Sequence, residues 1–381
     1  MIVKIGDVIS EYSVRNKFDE KIPVYSVTNE KGFCTGYFSK EVASKDKSTY
    51  KIVPRGYFAY NPSRINVGSV DWQKYEDRVI VSPLYVVFGV SDRLDRQYLL
   101  HYLKSDMMLS FIKEYATGSV RDNLKLADLG KFPINLRPVE EQRQIATTLD
   151  KIDDLIAKCR QQLDKLDELV KSRFIEMFGD ILLNTKRWNE QPLESIADIV
   201  SGITKGRKIK RQSMIKVPYM AVSNVKDGYI DWTNVKTIEA TEQEIEQYRL
   251  LPDDVLMTEG GDPDKLGRGA IIKEPLENCI HQNHIFRVRL NESVILPGFF
   301  AEYLKHQKSK RYFIGCAKQT TGIASINMRQ LKALPVLLPP LALQKQFSVF
   351  VAQTDKSKLA IQKSLDKLEI LKKALMQKYF G

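Results

Sequence analysis

Between Glu140 and Gly179 apolar residues recur among polar ones at a spacing that predicts one long helix. They fall at Ile145, Leu149, Ile152, Ile156, Cys159, Leu163, Leu166, Val170, Phe174 and Met177. From Ile152 to Val170 the steps run four, three, four, three, four, which draws a narrow seam down one face. Such a seam belongs to a coiled coil rather than to a core helix. About 40 residues at 1.5 Å each make a rod roughly 60 Å long. It cannot bury that seam alone. A second stretch, Leu341 to Phe380, repeats the pattern, with Ile361, Leu365, Leu368 and Leu375 on its seam.

The repetition extends over the whole chain. A shift of 202 residues lays Pro133 on Pro335, Pro138 on Pro340, Gln142 on Gln344, and Leu163-Asp164-Lys165-Leu166 on Leu365-Asp366-Lys367-Leu368. The same shift lays Phe178-Gly179 on Phe380-Gly381. Slightly different offsets match Ile5-Gly6-Asp7-Val8-Ile9 with Ile196-Ala197-Asp198-Ile199-Val200, and Val27-Thr28-Asn29 with Val222-Ser223-Asn224. The chain therefore reads as a tandem duplication, each copy a globular domain followed by a long helix: 1–138, 139–180, 181–340 and 341–381.

Each globular copy predicts a short opening helix (Ile5 to Ile9; Leu193 to Val200) and then strands rich in β-branched and aromatic residues. These include Pro23 to Thr28, Val79 to Val90, Tyr219 to Asn224 and His284 to Leu290. A helix follows (Gln97 to Tyr115; Pro297 to Tyr312), then a glycine loop, a turn begun by Asn123 or Asn327, and a short apolar strand. Pro138 and Pro339-Pro340 announce the long helices, and Glu140 and Glu141 complement the dipole at the start of the first. The first long helix runs from domain one to domain two, and the last must run away from domain two. If the seams pair, they pair antiparallel. The fold class expected is α+β: a duplicated small mixed α/β domain and an antiparallel coiled coil, with pseudo-twofold symmetry.

Charge sharpens this picture. The formal net charge is +12. By segment it is +5 for 1–138, −3 for 139–180, +5 for 181–340 and +5 for 341–381. Two rods of opposite sign are expected to prefer each other over self-pairing. Basic globular parts fit a polyanion, most simply nucleic acid. No apolar run approaches the ~18 residues of a membrane span, and the N-terminus has no charged region leading into an apolar core, so a cytoplasmic protein is expected. The four cysteines, Cys34, Cys159, Cys279 and Cys316, are isolated, a pattern of free thiols rather than of a disulfide frame or a zinc site.

Catalytic motifs fail one by one. No phosphate-binding loop of the G-x-x-x-x-G-K-[ST] kind occurs. Tyr60-Asn61-Pro62-Ser63 lacks the second proline and following aromatic of an amino-methyltransferase loop. No metal set accompanies His281 and His284. What remains suits DNA. Lys205, Arg207, Lys208, Lys210 and Arg211 form the densest basic run, in a glycine-bearing loop fit to neutralise phosphates. Tyr229, Asp231, Trp232 and Asn234, and in the first domain Tyr60, Asn61, Ser63 and Arg64, are candidates to approach base edges. Arg121 follows the glycine loop and joins the candidates.

Two basic domains alternating with two long helices resemble the specificity subunit of type I restriction-modification systems, over essentially the whole length. The residues that carry the resemblance are Gly118-Ser119-Val120-Arg121-Asp122-Asn123-Leu124, the junction Pro138-x-x-Glu141-Gln142-Arg143-Gln144-Ile145-Ala146, Leu338-Pro339-Pro340-Leu341-Ala342-Leu343-Gln344-Lys345-Gln346, and Gly267-Arg268-Gly269-Ala270-Ile271-Ile272. The resemblance implies that each globular domain is a target-recognition domain reading one half of a split site in double-stranded DNA. It implies that the helices set the gap and dock two modification subunits, which bind S-adenosylmethionine and methylate adenine. Restriction subunits, with ATP and Mg, join through the methyltransferase core. The chain itself then has no catalytic centre and no cofactor. Glu141, Gln142, Gln144, Leu341, Leu343 and Gln344 become candidate partner-binding residues, although Leu343 stands where the first copy has Glu141. A type IIB-like recognition subunit is the close alternative. A coiled-coil scaffold binding RNA or protein is the distant one, and a fused methyltransferase is disfavoured by the missing loops.

Overall fold

The computed structural model describes the 381-residue chain except for residues 37–45, 117–122, 208–212, 262–265 and 321–322. It folds as two compact units: Met1–Gln161 with Gln362–Gly381, and Gln162–Ile361.

Unit 1 is built on a four-stranded antiparallel sheet in the order Ile9–Glu11, Val86–Val90, Phe58–Tyr60, Val70–Trp72. Strand alternation sends Phe58, Tyr60 and Phe88 into one core, and Ala59 and Val87 into another. Two further antiparallel pairs, Ser26–Thr28 with Gly32–Cys34 and Lys51–Pro54 with Arg78–Val81, lie outside this sheet. Ile2–Lys4 pairs with Pro133–Asn135, so the start of the chain is hydrogen-bonded to the segment that leads into the first long helix. The helices are α1 (Arg96–Leu103), α2 (Asp106–Ala116), α3 (Leu126–Leu129) and the long α4 (Val139–Phe178).

Unit 2 repeats the frame. Its four-stranded sheet runs Ala197–Ser201, Ile285–Leu290, Val255–Thr258, Gly269–Ile271. Asn189–Pro192 pairs with Pro335–Leu338 as its counterpart does in unit 1. Among the described residues, unit 2 differs in a three-stranded sheet, Lys236–Ala240, Ile215–Met220, Ile280–His281, and in helix α5 (Glu242–Tyr248). Its remaining helices are α6 (Pro297–Lys305), α7 (Gln307–Cys316), α8 (Met328–Lys332) and the long α9 (Leu341–Phe380).

Two local expectations change. The opening helices are single 3-10 turns, Ile5–Asp7 and Leu193–Ser195, each followed by a sheet strand. The helix expected from Gln97 to Tyr115 breaks in two at Ser105. The Ser105 hydroxyl donates to the Tyr102 carbonyl at 2.7 Å and accepts from the Met108 amide at 3.2 Å, ending one helix and capping the next. His306 does the same between α6 and α7, its Nδ1 accepting from the Lys308 amide at 3.3 Å.

The starts of the long helices are held by a repeated device. Gln142 is 0% exposed. Its carbonyl oxygen accepts from the Asp95 amide at 2.8 Å, and its amide donates to the carbonyls of Arg93 at 2.9 Å and Arg137 at 2.7 Å. Gln344, also fully buried, accepts from the Leu296 amide at 2.9 Å and donates to Val294 at 3.1 Å and Pro339 at 2.8 Å. Each side chain thereby satisfies backbone groups ahead of α1 or α6 and ahead of the long helix itself, groups that are expensive to bury unpaired. Expected at a partner surface, Gln142 and Gln344 are interior instead. In unit 1 Asp150 of α4 adds a second link, accepting from Gln97 at 2.7 Å and meeting His101 Nε2 at 2.8 Å.

The ends are held by aromatics. Phe380 packs on Tyr98 and Tyr102 in unit 1, with ring centroids 5.1 and 5.6 Å apart. Its counterpart Phe178 packs in unit 2 on Phe299 at 4.7 Å and Phe347 at 5.4 Å. Between the ends the helices pair antiparallel: Asp153 meets Lys372 at 2.6 Å and Arg160 meets Glu369 at 2.8 Å in unit 1, and Asp167 meets Lys358 in unit 2. Such exposed pairs contribute little stability but fix register. Ile152, Ile156, Val170 and Leu365 are buried, and Cys159, Leu163, Leu166, Ile361, Leu368 and Leu375 are half-buried. Ahead of Ile361 two polar residues of α9, Thr354 and Lys358, stand at the spacing of the seam; the Thr354 hydroxyl donates to the Phe350 carbonyl at 2.9 Å, and Lys358 carries Asp167. Among the described residues no helix is long and apolar enough to cross a membrane.

Replacing Gln344 by Leu keeps the volume but leaves the Leu296 amide and two carbonyls without partners. Denaturant unfolding of Gln344→Leu is expected to show a loss of about 2–4 kcal/mol. A change within error of zero would mean that water or a shift of the chain replaces these bonds.

Candidate nucleic-acid interface

At the end of the central strand Phe58–Tyr60 the chain turns sharply. Asn61 Oδ1 accepts from the Ser63 amide at 3.1 Å and from its hydroxyl at 2.9 Å, so the turn is closed by its own first side chain. This leaves Ser63 and Arg64 exposed. Arg64 makes no ion pair among the described residues. The turn borders a polar cavity of about 570 Å³, lined also by Thr28, Asn29, Lys31 and Tyr85. Thr28, Asn29 and Lys31 come from a hairpin more than thirty residues earlier, and only their match to Val222-Ser223-Asn224 in the repeat singled any of them out in the sequence.

Tyr60 is corrected. It is 0% exposed, its hydroxyl donates to the Leu124 carbonyl at 3.0 Å, and burial pushes its phenol far above the ordinary range. This strand is covered on both faces, Ala59 entering one core and Tyr60 the other. Arg121 lies outside the described residues, as do Lys208, Lys210 and Arg211.

In unit 2 Lys205 sits exposed on a turn, but Arg207 is locked. It forms a two-pronged pair with Glu244 of α5, at 2.5 and 2.6 Å, and donates to the Glu239 carbonyl at 3.1 Å. A guanidinium so engaged is a clamp on α5, not a free phosphate contact. Farther along, buried Asn224 donates to the carbonyls of Asp231 at 2.9 Å and Asn234 at 3.4 Å, which shapes the loop between them. Asp231 accepts from the Thr233 amide at 3.0 Å and caps the same turn. On that loop Tyr229 is 60% exposed and Asn234 is exposed, whereas Trp232 packs against the buried cluster of Met220, Val225 and Leu256. The structure thus keeps Asn61, Ser63, Arg64, Lys205, Tyr229 and Asn234 accessible and assigns Tyr60, Arg207 and Trp232 to holding the frame.

Among the candidate partner residues, Leu343 packs against the core of unit 2 and Glu141 pairs with Arg137. Gln144 and Leu341 are exposed. Of the two neighbouring histidines, His281 is buried, its Nδ1 lies 3.1 Å from the Ile285 carbonyl, and burial pushes its pKa down to about 4. His284 is exposed and pairs with Glu259. Among the described residues no group of three or more His, Cys, Asp or Glu could hold a metal ion.

The Arg207 pair holds the Glu244 carboxyl below its ordinary value of 4.5. Its contribution to stability is therefore fully present above that ordinary value and is lost as pH falls through the depressed one. The stability difference between the wild-type chain and Glu244→Gln is expected to be largest near neutrality and to shrink below about pH 4. Unfolding midpoints of the two proteins across that range check it.

A family model described as type I restriction modification DNA specificity domain matches the chain twice, over residues 2–168 and 185–371. The specificity subunit of the Escherichia coli (strain K12) EcoKI type I restriction enzyme is 22% identical over 299 residues, covering 74% of this chain and 64% of the relative. A putative MjaX specificity subunit of Methanocaldococcus jannaschii is 30% identical over 195 residues, covering 51% of this chain and 45% of the relative. The chain thus spans less than two thirds of these relatives' length. Among solved structures, a type I restriction-modification S subunit from M. genitalium superposes with a TM-score of 0.59 at 17% identity, covering 100% of this chain and 96% of that one. A chain of a type I R-M system studied for its complex assembly gives 0.51 at 16% identity. At such identities the likeness is one of fold.

Proposed function

The chain belongs to the type I restriction-modification DNA specificity domain family, and on that premise we propose that it is the non-catalytic specificity subunit of a type I complex. One observation carries the proposal. Two sheets of identical strand order are tied to the long helices through equivalent glutamines and terminal phenylalanines, yet their exposed polar residues differ. Two unlike readers on one repeated frame suit a split site with two unlike halves.

In this reading residues 1–138 and 181–340 are the recognition domains. Asn61, Ser63 and Arg64 with Asn29 and Lys31 face one half-site, and Lys205, Tyr229 and Asn234 face the other. An arginine fork matches the O6 and N7 of guanine, and an asparagine amide matches the N6 and N7 of adenine. The helices 139–180 and 341–381 act as a ruler for unread base pairs, with half-site centres about one DNA turn, ~34 Å, apart. Exposed Gln144 and Leu341, at the helix starts, belong to the surface that docks two methyltransferase subunits. Those subunits bring S-adenosylmethionine, and the motor subunits that join them bring ATP and Mg.

Methylated adenines mapped in a host that carries the chain with its modification partner test the ruler. One added turn in both long helices, about 6 Å, is expected to lengthen the gap by about two base pairs at ~3.4 Å each and to leave both half-sites unchanged. Altered half-site sequences would sink the ruler. In the same assay Arg64→Ala is expected to relax one position of one half-site, by about 1–3 kcal/mol of discrimination. Relaxation in both half-sites would contradict independent reading by the two domains.

A further inference from the structure

Unit 2 holds a small cavity of about 270 Å³ with an apolar floor of Leu266 and Leu304, lined otherwise by Asp227, Gly267, Arg268, Gly269, Lys305 and Lys310. We propose that this cavity seats one phosphate of the DNA backbone, an inference that rests on the DNA-reading function above and names contacts for it on residues 266–269 and on α7.

The backbone is shaped for close approach. Gly267 has φ +71°, and a Cβ there would lie 2.2 Å from the Phe313 ring of α7. At Gly269 a Cβ would lie 2.5 Å from the Leu256 carbonyl oxygen. Gly267 thus lies close against α7 and Gly269 close against the neighbouring strand, and Arg268 between them lines the same cavity as Lys310. On the opposite wall the Gly228 amide donates to the Gly269 carbonyl at 3.1 Å, which holds Asp227 at the rim.

The polar groups are incomplete without a ligand. Arg268 Nε is buried and has no hydrogen-bond acceptor among the described residues. A guanidinium N–H in that state costs free energy, which an oxyanion would return. Lys305 is shared with Glu302 at 2.6 Å, whereas Lys310 has no ion pair among the described residues. Three cations thus stand against Asp227 and Glu302. The planar fork of an arginine with a lysine point charge is a donor set suited to phosphate oxygens.

The fold does not require this charge, as the other unit demonstrates. The strands Gly269–Ile271 and Val70–Trp72 occupy the same sheet position, so Gly267-Arg268 corresponds to Gly68-Ser69. Gly68 also has a positive φ, +84°. Yet Ser69 is buried and its hydroxyl donates to the Val27 carbonyl at 2.6 Å. Lys310 begins the hydrogen bonding of α7 to His306 as Leu109 does to Ser105 in α2, so its counterpart is apolar. Across the two helices, α7 carries Lys308, Lys310 and Arg311 with no acid, whereas α2 carries Asp106 and Glu114 against Lys113. An equivalent sheet position with cations added in one copy points to a ligand of that copy.

The test uses the full chain, a 30-base-pair duplex of arbitrary sequence, and binding measured over a series of salt concentrations. Each phosphate neutralised on B-DNA adds about 0.9 to the salt slope. The double variant Arg268→Gln, Lys310→Met is expected to lower the slope by about 0.9, because both groups serve one phosphate, with thermal unfolding unchanged. Arg268→Lys is expected to keep most of the slope. An unchanged slope in a double variant that folds normally would overturn the proposal and leave the DNA reading intact. No duplex binding by the unaltered chain would overturn both. The remaining arm uses inorganic phosphate. If millimolar phosphate raises the melting temperature of the wild-type chain above a chloride control while the duplex slope stays the same in the variants, the site takes a free anion and the DNA assignment fails.

Discussion

A forty-residue helix with one apolar seam has nowhere to put that seam, and the whole structure depends on how the two such helices are seated. Each begins with a glutamine buried among backbone groups and ends with a phenylalanine buried among rings. The two kinds of anchor act differently. The glutamine is directional: it satisfies an amide and two carbonyls at set positions and so fixes the angle at which the helix leaves the sheet domain. The phenylalanine is non-directional and supplies apolar area, about 150–250 Å² for a ring of this class. A helix held by both has its axis and its end point defined without a rigid body of its own.

That arrangement lets each core draw on both long helices, and it makes the core of unit 1 discontinuous in sequence. Unit 1 closes only when residues 362–381 arrive, and its central tyrosines Tyr98 and Tyr102 wait for Phe380. Such distant contacts carry a loop-closure cost before they stabilise anything, which slows folding. In unit 2 the aromatic box of Phe174, Phe178, Phe299 and Phe347 joins pieces from both long helices and from α6 in the same way.

The duplication and the long helices were legible in the sequence because periodicity and self-similarity are properties of many residues at once. Single residues were less legible, for physical reasons that differ. Gln142 and Gln344 are polar at the first turn of a helix, where a solvent-facing side chain is the usual outcome; only the unpaired amides of Asp95 and Leu296, set by folding, call them inward. Arg207 stands in a basic run, but its partner Glu244 lies on a helix more than thirty residues farther along the chain. Tyr60 follows from strand parity once the register of Phe58–Tyr60 against Val86–Val90 is known, and register is not written in one strand. Asn29 and Arg64 share a cavity while lying thirty-five residues apart, a distance no local motif spans.

The repeat also separates what the frame demands from what it tolerates. In the strand Val86–Val90, the positions that face away from the main core are Val87 and Gly89; the matching positions of Ile285–Leu290 are Arg287 and Arg289. Arg287, with a side chain 4% exposed, pairs with Asp198, and Arg289 pairs twice with the fully buried Asp254, at 2.8 and 2.9 Å. A buried ion pair of this kind is tolerable only where further acceptors complete it. Unit 2 supplies acceptors in the carbonyls of Gln247 and Arg249, at the end of α5, although Arg287 Nε finds no partner among the described residues. An apolar face and an ionic one therefore sit on the same sheet, each balanced by its own surrounding segments. A frame whose geometry is set by backbone pairing, two glutamines and two phenylalanines leaves the chemistry of the remaining surface free to differ between copies. That freedom is what a protein needs if two copies of one fold are to read two different sequences.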